Sequence, residues 1–316
     1  MASFGDLNRV NTNVQSLDAQ LSLNRVNRDL AGSRERLTTG RKINKAEDNA
    51  AGYSIATKLR SRTAGLEQSL QNVGDAKSVL DIAESSFDIG MDSLIEMKSL
   101  ATQAANDTLG ATERGYIGDQ IAAIGSDINE IANQTIYQDT ELLNGTNNSG
   151  SITLTFQTGE RAADTITATV NAVNVGGLFA ASGDASLGAT TTAGGGAASG
   201  GAISVTAATA SAQGTFTFAS TATAADFNAF ISSVDTAIDT MASNVNSIGI
   251  KQKSLSLRED TLSESIAATE SAKSRIMDTD FAKEQSESVR LQILQQTATS
   301  ALAQANNGPQ SVLGFI

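Results

Sequence analysis

Large apolar residues recur every seven positions over long stretches of this chain. One column runs from Leu66 to Ala101, and a second, with steps of four and three, runs from Ile117 to Ile131. A third begins at Phe227 and continues to Ile266. Because a strict seven-residue repeat differs from the 3.6-residue turn of an α-helix, helices that carry it supercoil around one another. The pattern therefore predicts a mainly α protein built on a long antiparallel coiled-coil bundle.

The core of this bundle is predicted at the heptad-related apolar positions. These are Leu66, Val73, Leu80, Phe87, Leu94, Ile121, Ile128, Ile231, Ile238 and Val245. Gln252 and Glu259 interrupt the third column with polar side chains. Gly110, followed by Thr112 and Glu113, predicts a break between the first two helices and the start of the second.

The period changes from 3.6 to two in the middle of the chain, between residues 146 and 225. Residues 151–157, 165–171 and 215–218 alternate apolar and polar side chains, and the first two runs predict a β-hairpin. Ile203 and Val205 mark a further possible strand. This stretch carries only four charged residues and twelve of the 27 glycines, so it predicts a separate, small β-rich module. Its glycine runs at 194–196 and 200–201 predict loops, and they lack the lysine of a phosphate-binding loop.

The two ends of the chain carry amphipathic stripes that are too thin to fold firmly alone. Residues 1–45 and 276–316 predict one helix each, and a pair of such helices still exposes much of each stripe. We therefore expect other copies of the chain to cover them. The predicted contacts between copies are Val10, Val14, Leu17, Leu21, Leu291, Leu294, Leu302, Val312 and Leu313.

Composition excludes several kinds of chemistry. The chain has neither histidine nor cysteine, which removes the common nucleophilic triads, the usual zinc and haem ligands and disulfides. A net charge of −12 argues against nucleic acid as a partner, despite the basic cluster between Arg34 and Lys45. Asp278 and Asp280 resemble the start of a calcium loop, but the glycine and final glutamate of that motif are missing. We predict no cofactor, metal or catalytic residue.

Targeting signals are also missing from the expected places. The first thirty residues lack the apolar core of a secretion signal, and no window approaches the roughly 18 apolar residues of a membrane span. We therefore expect no membrane insertion, and a cytoplasmic location unless a dedicated machine exports the chain without a cleaved signal.

Sequence blocks at both ends closely resemble bacterial flagellin. They are Val-Asn-Thr-Asn at 10–13, Glu-Arg-Leu-Thr-Thr-Gly-Arg-Lys-Ile-Asn at 35–44, Ala-Glu-Asp-Asn-Ala-Ala-Gly at 46–52, Ser-Ala-Lys-Ser-Arg-Ile-Met-Asp-Thr-Asp-Phe-Ala at 271–282, Gln-Ile-Leu-Gln-Gln-Thr-Ala-Thr-Ser-Ala-Leu-Ala-Gln-Ala-Asn at 292–306 and Pro-Gln-Ser-Val-Leu at 309–313. The resemblance covers about 145 residues at the front and about 90 at the back. Residues 146–225 show none.

The resemblance implies a structural subunit that polymerises into the helical flagellar filament used for swimming. Five segments follow: filament-core helices at 1–45 and 276–316, bundle helices at 46–145 and 226–275, and a variable outer domain at 146–225. The implied partners are further copies, the filament cap, the hook–filament junction proteins, an export chaperone and the type III export apparatus. The implied location is the extracellular filament.

The resemblance also bears on recognition by the vertebrate flagellin receptor. Residues 94–103 align with the family's receptor-binding helix, where Glu96 replaces an arginine. Gln120 stands where receptor-active members carry a glutamate. We therefore expect weak or absent receptor activation.

Two other functions remain open from the sequence. A hook–filament junction protein shares the helical frame, although Asp-Asn-Ala-Ala-Gly at 48–52 favours the filament subunit. An enzyme that uses carboxylates alone would depend on Glu160, Asp164 and Asp184, which are the insert's only acidic residues.

Overall fold

Six helices form most of the protein in the computed structural model, which describes residues 12–144, 151–180, 203–206 and 214–313. They are α1 (Val14–Thr39), α2 (Ala50–Ala104), α3 (Ala111–Gln134), α4 (Val175–Ala180), α5 (Ala224–Met277) and α6 (Phe281–Leu313). The mainly α fold predicted from the heptads is confirmed. Gly110 is the N-cap residue of α3, as the break predicted there requires.

The chain divides into two compact units. The terminal unit combines the residues up to Ala64 with those from Ile266 onward, and the central unit comprises Gly65–Ser265. Helices α2 and α5, with 55 and 54 residues, extend across the boundaries between the units. Each therefore contributes residues to both units.

The core of the central unit is built from apolar columns of α2, α3 and α5. Leu66, Val73, Leu80, Phe87 and Leu94 of α2 are buried, as are Ile121 and Ile128 of α3. In α5 the buried column is Phe227, Val234, Met241, Ile248, Leu255 and Leu262. The predicted core residues Ile231, Ile238 and Val245 are only half-buried. Each lies four residues after a member of the buried column, so it occupies the edge of the same helix face.

Polar side chains join α2 to α5 along this core. The Lys77 Nζ lies 2.9 Å from the Glu259 Oε2, and the Lys98 Nζ lies 2.6 Å from the Asp235 Oδ1. The later residue of α2 meets the earlier residue of α5, so the two helices are antiparallel. The Gln252 Nε2 donates to the Asp81 Oδ1 at 2.8 Å. Both polar interruptions of the predicted heptads therefore bind the neighbouring helix.

Among the described residues, three antiparallel strand pairs accompany the helices. They pair β1 (Ile136–Tyr137) with β2 (Thr140–Glu141), β3 (Ser151–Gln157) with β4 (Thr165–Asn171), and β5 (Ile203–Thr206) with β6 (Thr215–Phe218). The strands predicted at 151–157, 165–171 and 215–218 are confirmed with these bounds, and so is the strand around Ile203 and Val205. The glycine runs at 194–196 and 200–201 lie outside the described residues.

The described part of the β-rich insert packs on the helices. It falls within the central unit. A cluster of five phenylalanine rings joins it to α5: Phe179, Phe216, Phe218, Phe227 and Phe230. The buried Asn129 of α3 donates to the Gly214 carbonyl at 2.8 Å and accepts from the Val175 N–H at 2.9 Å.

Two glycines of α3 leave room for the rings of β6. A Cβ added to Gly118 would lie 2.8 Å from Phe218, and one added to Gly125 would lie 2.5 Å from Phe216. The ring of Phe216 also packs edge-on against Phe179, with 4.9 Å between centroids, so it is held in place. The absence of side chains at these positions therefore allows the hairpin to approach the helix.

Substituting Gly125 tests this packing. We expect Gly125→Ala to destabilise the central unit by about 1–3 kcal/mol, because the new methyl overpacks a fixed ring. Gly115→Ala is the matched control in the same helix, since a Cβ there meets nothing within 4 Å. The control should stabilise the folded state by about 0.5–1 kcal/mol, because alanine loses less conformational entropy on folding than glycine. Thermal unfolding followed by circular dichroism measures both changes, and equal midpoints for the two variants would contradict the packing argument.

Candidate assembly surface

Helices α1 and α6 form an antiparallel pair in the terminal unit. The Asn13 Nδ2 donates to the Ala305 carbonyl at 2.8 Å, and the Ser16 hydroxyl donates to the Asn306 Oδ1 at 2.7 Å. Further along α1, the Gln295 Nε2 donates to the Asn27 Oδ1 at 2.7 Å. These bonds show that the start of α1 lies beside the end of α6.

The other end of the pair is fixed by backbone geometry. Gly40 ends α1 in the left-handed conformation with φ of 69°, which glycine adopts without steric cost. Its N–H donates to the Arg36 carbonyl at 2.9 Å, and its own carbonyl accepts from the Thr279 N–H at 3.0 Å. The Asp280 carboxylate accepts from the Ala282 and Lys283 N–H groups at 3.0 and 3.3 Å. Asp280, a residue of the calcium-like motif, therefore caps α6.

The seam between the two helices follows heptad columns of its own. Its buried members are Leu30 and Ser33 of α1 and Ser288 and Leu291 of α6. Half-buried residues continue the columns: Ser16, Ala19, Leu23, Val26 and Leu37 in α1, and Glu284, Gln295, Ala298, Leu302 and Ala305 in α6. Much of this seam is small or polar, so it buries little apolar surface.

Most of the described residues predicted to contact other copies are exposed. Val14, Leu17 and Leu21 project from α1, with Leu17 and Leu21 exposed by 53% and 54%, and Leu294 projects from α6. Leu291 is an exception, because it is 4% exposed and already packs within the chain. Leu302 is half-buried. Val10 and the side chains of Val312 and Leu313 lie outside the described residues.

Sequence reasoning missed several exposed apolar residues of α6. Phe281, Val289 and Ile293 are exposed by 59%, 46% and 58%. Their large apolar side chains were the available signal. The prediction instead selected the neighbouring column that contains Leu291 and Leu294. We call the exposed apolar residues of α1 and α6 the terminal apolar surface: Val14, Leu17, Leu21, Phe281, Val289, Ile293 and Leu294.

A buried hydroxyl weakens the α1–α6 seam further. The buried Ser33 Oγ has no hydrogen-bond partner among the residues that the structure describes. A buried hydroxyl without a partner opposes folding by about 1–3 kcal/mol. A pair of helices with such a seam and large uncovered apolar side chains needs further surface to cover it.

Some charged side chains near this helix pair form ion pairs within the chain. In the basic cluster, the Arg36 Nη1 lies 3.6 Å from the Glu284 Oε1, and the Lys45 Nζ lies 3.3 Å from the Glu35 Oε2. Asp48 accepts from the Asn44 and Lys45 N–H groups at 2.9 and 3.0 Å. These two backbone hydrogen bonds, Lys45 first, lower the pKa of the Asp48 carboxyl.

The described residues contain no group of three or more acidic side chains arranged to hold a metal ion. In the same part of the chain, no helix combines the length and apolar character needed to cross a bilayer. Glu96 of α2 and Gln120 of α3 are exposed in the central unit, and their effect on receptor recognition stays a prediction.

The chain has long heptad helices, a terminal helix pair that buries little apolar surface, and exposed apolar side chains on that pair. This combination is typical of a structural subunit of a helical assembly. The bacterial flagellin N-terminal helical region matches residues 10–148, and the bacterial flagellin C-terminal helical region matches residues 231–316. The chain belongs to the bacterial flagellin family. It is a structural subunit of the flagellar filament and not an enzyme.

Relatives match the chain over nearly its whole length. It is 32% identical to flagellin of Bacillus subtilis, over 98% of this chain and 99% of that protein. It is 28% identical to flagellin A of Vibrio cholerae, over 97% and 99% of the two chains. It is also 28% identical to flagellin of Listeria monocytogenes, over 98% and 99%.

A pH titration tests the hydrogen bonds of Asp48. Because its folded-state pKa lies below the ordinary aspartate value of 3.8, these bonds contribute stability above that pH. The contribution is lost as the pH falls through the lowered value. We expect the Asn44 and Lys45 amide resonances to shift with a midpoint below 3.8. Asp48→Asn should remove this transition, whereas a midpoint at or above the ordinary value would contradict the assignment.

Proposed function

We propose that copies of this chain polymerise through the terminal apolar surface. The observation that carries the proposal is the exposure of Leu17 and Leu21 on the side of α1 opposite its buried Leu30. Fully burying a leucine contributes about 1.5–3 kcal/mol, so a few such residues strongly favour association. Within one chain, α6 covers only the side of α1 that carries Leu30. Helices from other copies can cover the exposed side.

The proposed arrangement assigns each segment a layer of the filament. Residues 1–45 and 276–316 form its core, residues 46–145 and 226–275 form the surrounding helical layer, and residues 146–225 lie outermost. The heptad core of α2, α3 and α5 supports this assignment, because it gives the middle layer a stable bundle of its own. Contacts that join different patches of neighbouring copies generate an open helix rather than a closed ring.

The proposal extends to export and to the proteins that meet the filament. The chain leaves the cell through the flagellar type III export apparatus, with a chaperone on its C-terminal arm, and assembles between the junction proteins and the filament cap. The weak α1–α6 seam supports this route, because a pair that is loosely held in the single chain is easily unfolded for passage. The final location is extracellular.

Charge placed on the terminal apolar surface tests polymerisation. We expect Leu17→Glu/Leu21→Glu to abolish polymers seen by negative-stain microscopy, because burying two unpaired carboxylates costs several kcal/mol. The helical circular dichroism of the single chain should change little, since both side chains are already exposed.

The matched control is Gln15→Glu/Ser22→Glu, which adds the same charge to exposed positions on another side of α1. It should polymerise under conditions in which the leucine variant does not. Normal polymers from the leucine variant would rule out the terminal apolar surface as the contact.

A further inference from the structure

Helix α6 continues through the single proline of the chain. Pro309 lies four residues before the end of α6 at Leu313. A proline inside a helix has no N–H to donate, and it usually ends or kinks the helix. The carbonyl that loses its donor belongs to Ala305, because the hydrogen bonds of an α-helix run from residue i to residue i−4. Ala305 is half-buried, so its carbonyl needs a donor from elsewhere.

The start of α1 supplies this donor. The Asn13 Nδ2 donates to the Ala305 carbonyl at 2.8 Å, across 292 positions of the chain. At the next residue of α6, the Asn306 Oδ1 accepts from the Ser16 hydroxyl at 2.7 Å. The first turn of α1 therefore lies beside the turn of α6 that the proline interrupts.

The other atom of the same amide group caps α1. The Asn13 Oδ1 accepts from the Ser16 N–H at 3.0 Å, which pairs one of the N–H groups that have no partner within the helix. Asparagine, aspartate and serine are nearly equal as N-cap residues. Among the three, only asparagine carries an oxygen acceptor and a nitrogen donor on the same side chain. Capping α1 alone therefore does not require asparagine, whereas pairing the Ala305 carbonyl as well does.

We propose that Asn13 is a positioning residue that keeps α6 helical past Pro309 when α1 is paired with it. In a shifted register, the Ala305 carbonyl would have no donor, so the proline disfavours mispaired ends. A single polar side chain can fix the register of a helix pair in this way.

The consequence for assembly is an order of events within each copy. The segment of α6 after Pro309 contains Val312 and Leu313, two of the predicted contacts between copies. This segment is stabilised as a helix only after the two ends of the same chain have met. The inference rests on the proposed polymerisation and deepens it, because it names the bond that prepares one end of the chain for contact.

A double-mutant cycle on the full-length chain tests the coupling. Asn13→Asp keeps a capping oxygen but removes the donor, and Pro309→Ala restores a backbone N–H for the Ala305 carbonyl. The readout is the critical concentration, above which sedimentable polymer forms. We expect Asn13→Asp alone to raise it about tenfold. In chains that also carry Pro309→Ala, we expect Asn13→Asp to change it less than about twofold, because Ala305 then has a donor within α6.

Two further variants make the cycle specific. Asn13→Ser repeats the comparison without a new charge, and its effect should depend on Pro309 in the same way. Ser16→Ala is the matched control, because it removes the neighbouring bond to α6 and leaves Ala305 untouched. Its effect should be the same with and without Pro309→Ala, since effects common to both backgrounds cancel in such a cycle.

Several results would overturn the coupling. They are a critical concentration that neither Asn13 variant raises, an equal effect of these variants with and without Pro309→Ala, and a Ser16→Ala effect that Pro309→Ala also removes. A Pro309→Ala chain that does not polymerise would overturn it too, because an unbroken helix would then not be what copies need. Failure of the unmodified chain to polymerise would instead overturn the proposed function, and this inference with it.

Discussion

The burial of only one side of α1 and α6 is the constraint on which the functional account depends. In the central unit, columns from α2, α3 and α5 enclose one another, and residues such as Leu80 and Met241 lose all contact with solvent. In the terminal unit, two helices share a seam in which Leu30 and Leu291 are the buried aliphatic residues of the described parts of the two helices. The chain thus combines a well-buried helical core with a terminal pair that, in the proposed polymer, is covered by other copies.

Polymerisation follows from this difference in burial. The central unit gives each copy a folded body before assembly. In the proposed polymer, the terminal apolar surface supplies free energy that is released only when copies meet, because its apolar side chains stay in water until then.

The sequence predicted the parts of the structure that depend on local pattern. The bounds of β3 and β4 follow from strict alternation, and the buried column from Leu66 to Leu94 follows from the heptads. The sequence did not show which of two neighbouring apolar columns forms the core, because residues such as Val234 and Ile238 lie four apart on one helix face. Leu291, which was predicted as a contact between copies, is buried within the single chain. The packing of Phe216 on Gly125 is non-local, and no periodicity signals it.

Hydrogen exchange of α1 and α6 tests the central claim most directly. The amides of these helices are compared between the dilute single chain and the polymer, with α2 and α3 amides of the central unit as the internal reference. We predict rapid exchange in the single chain and slowing by at least about 100-fold on polymerisation, while the reference amides are slow in both states. Strong protection of α1 and α6 in the dilute chain would show that the pair is stable without neighbours, and would contradict the account.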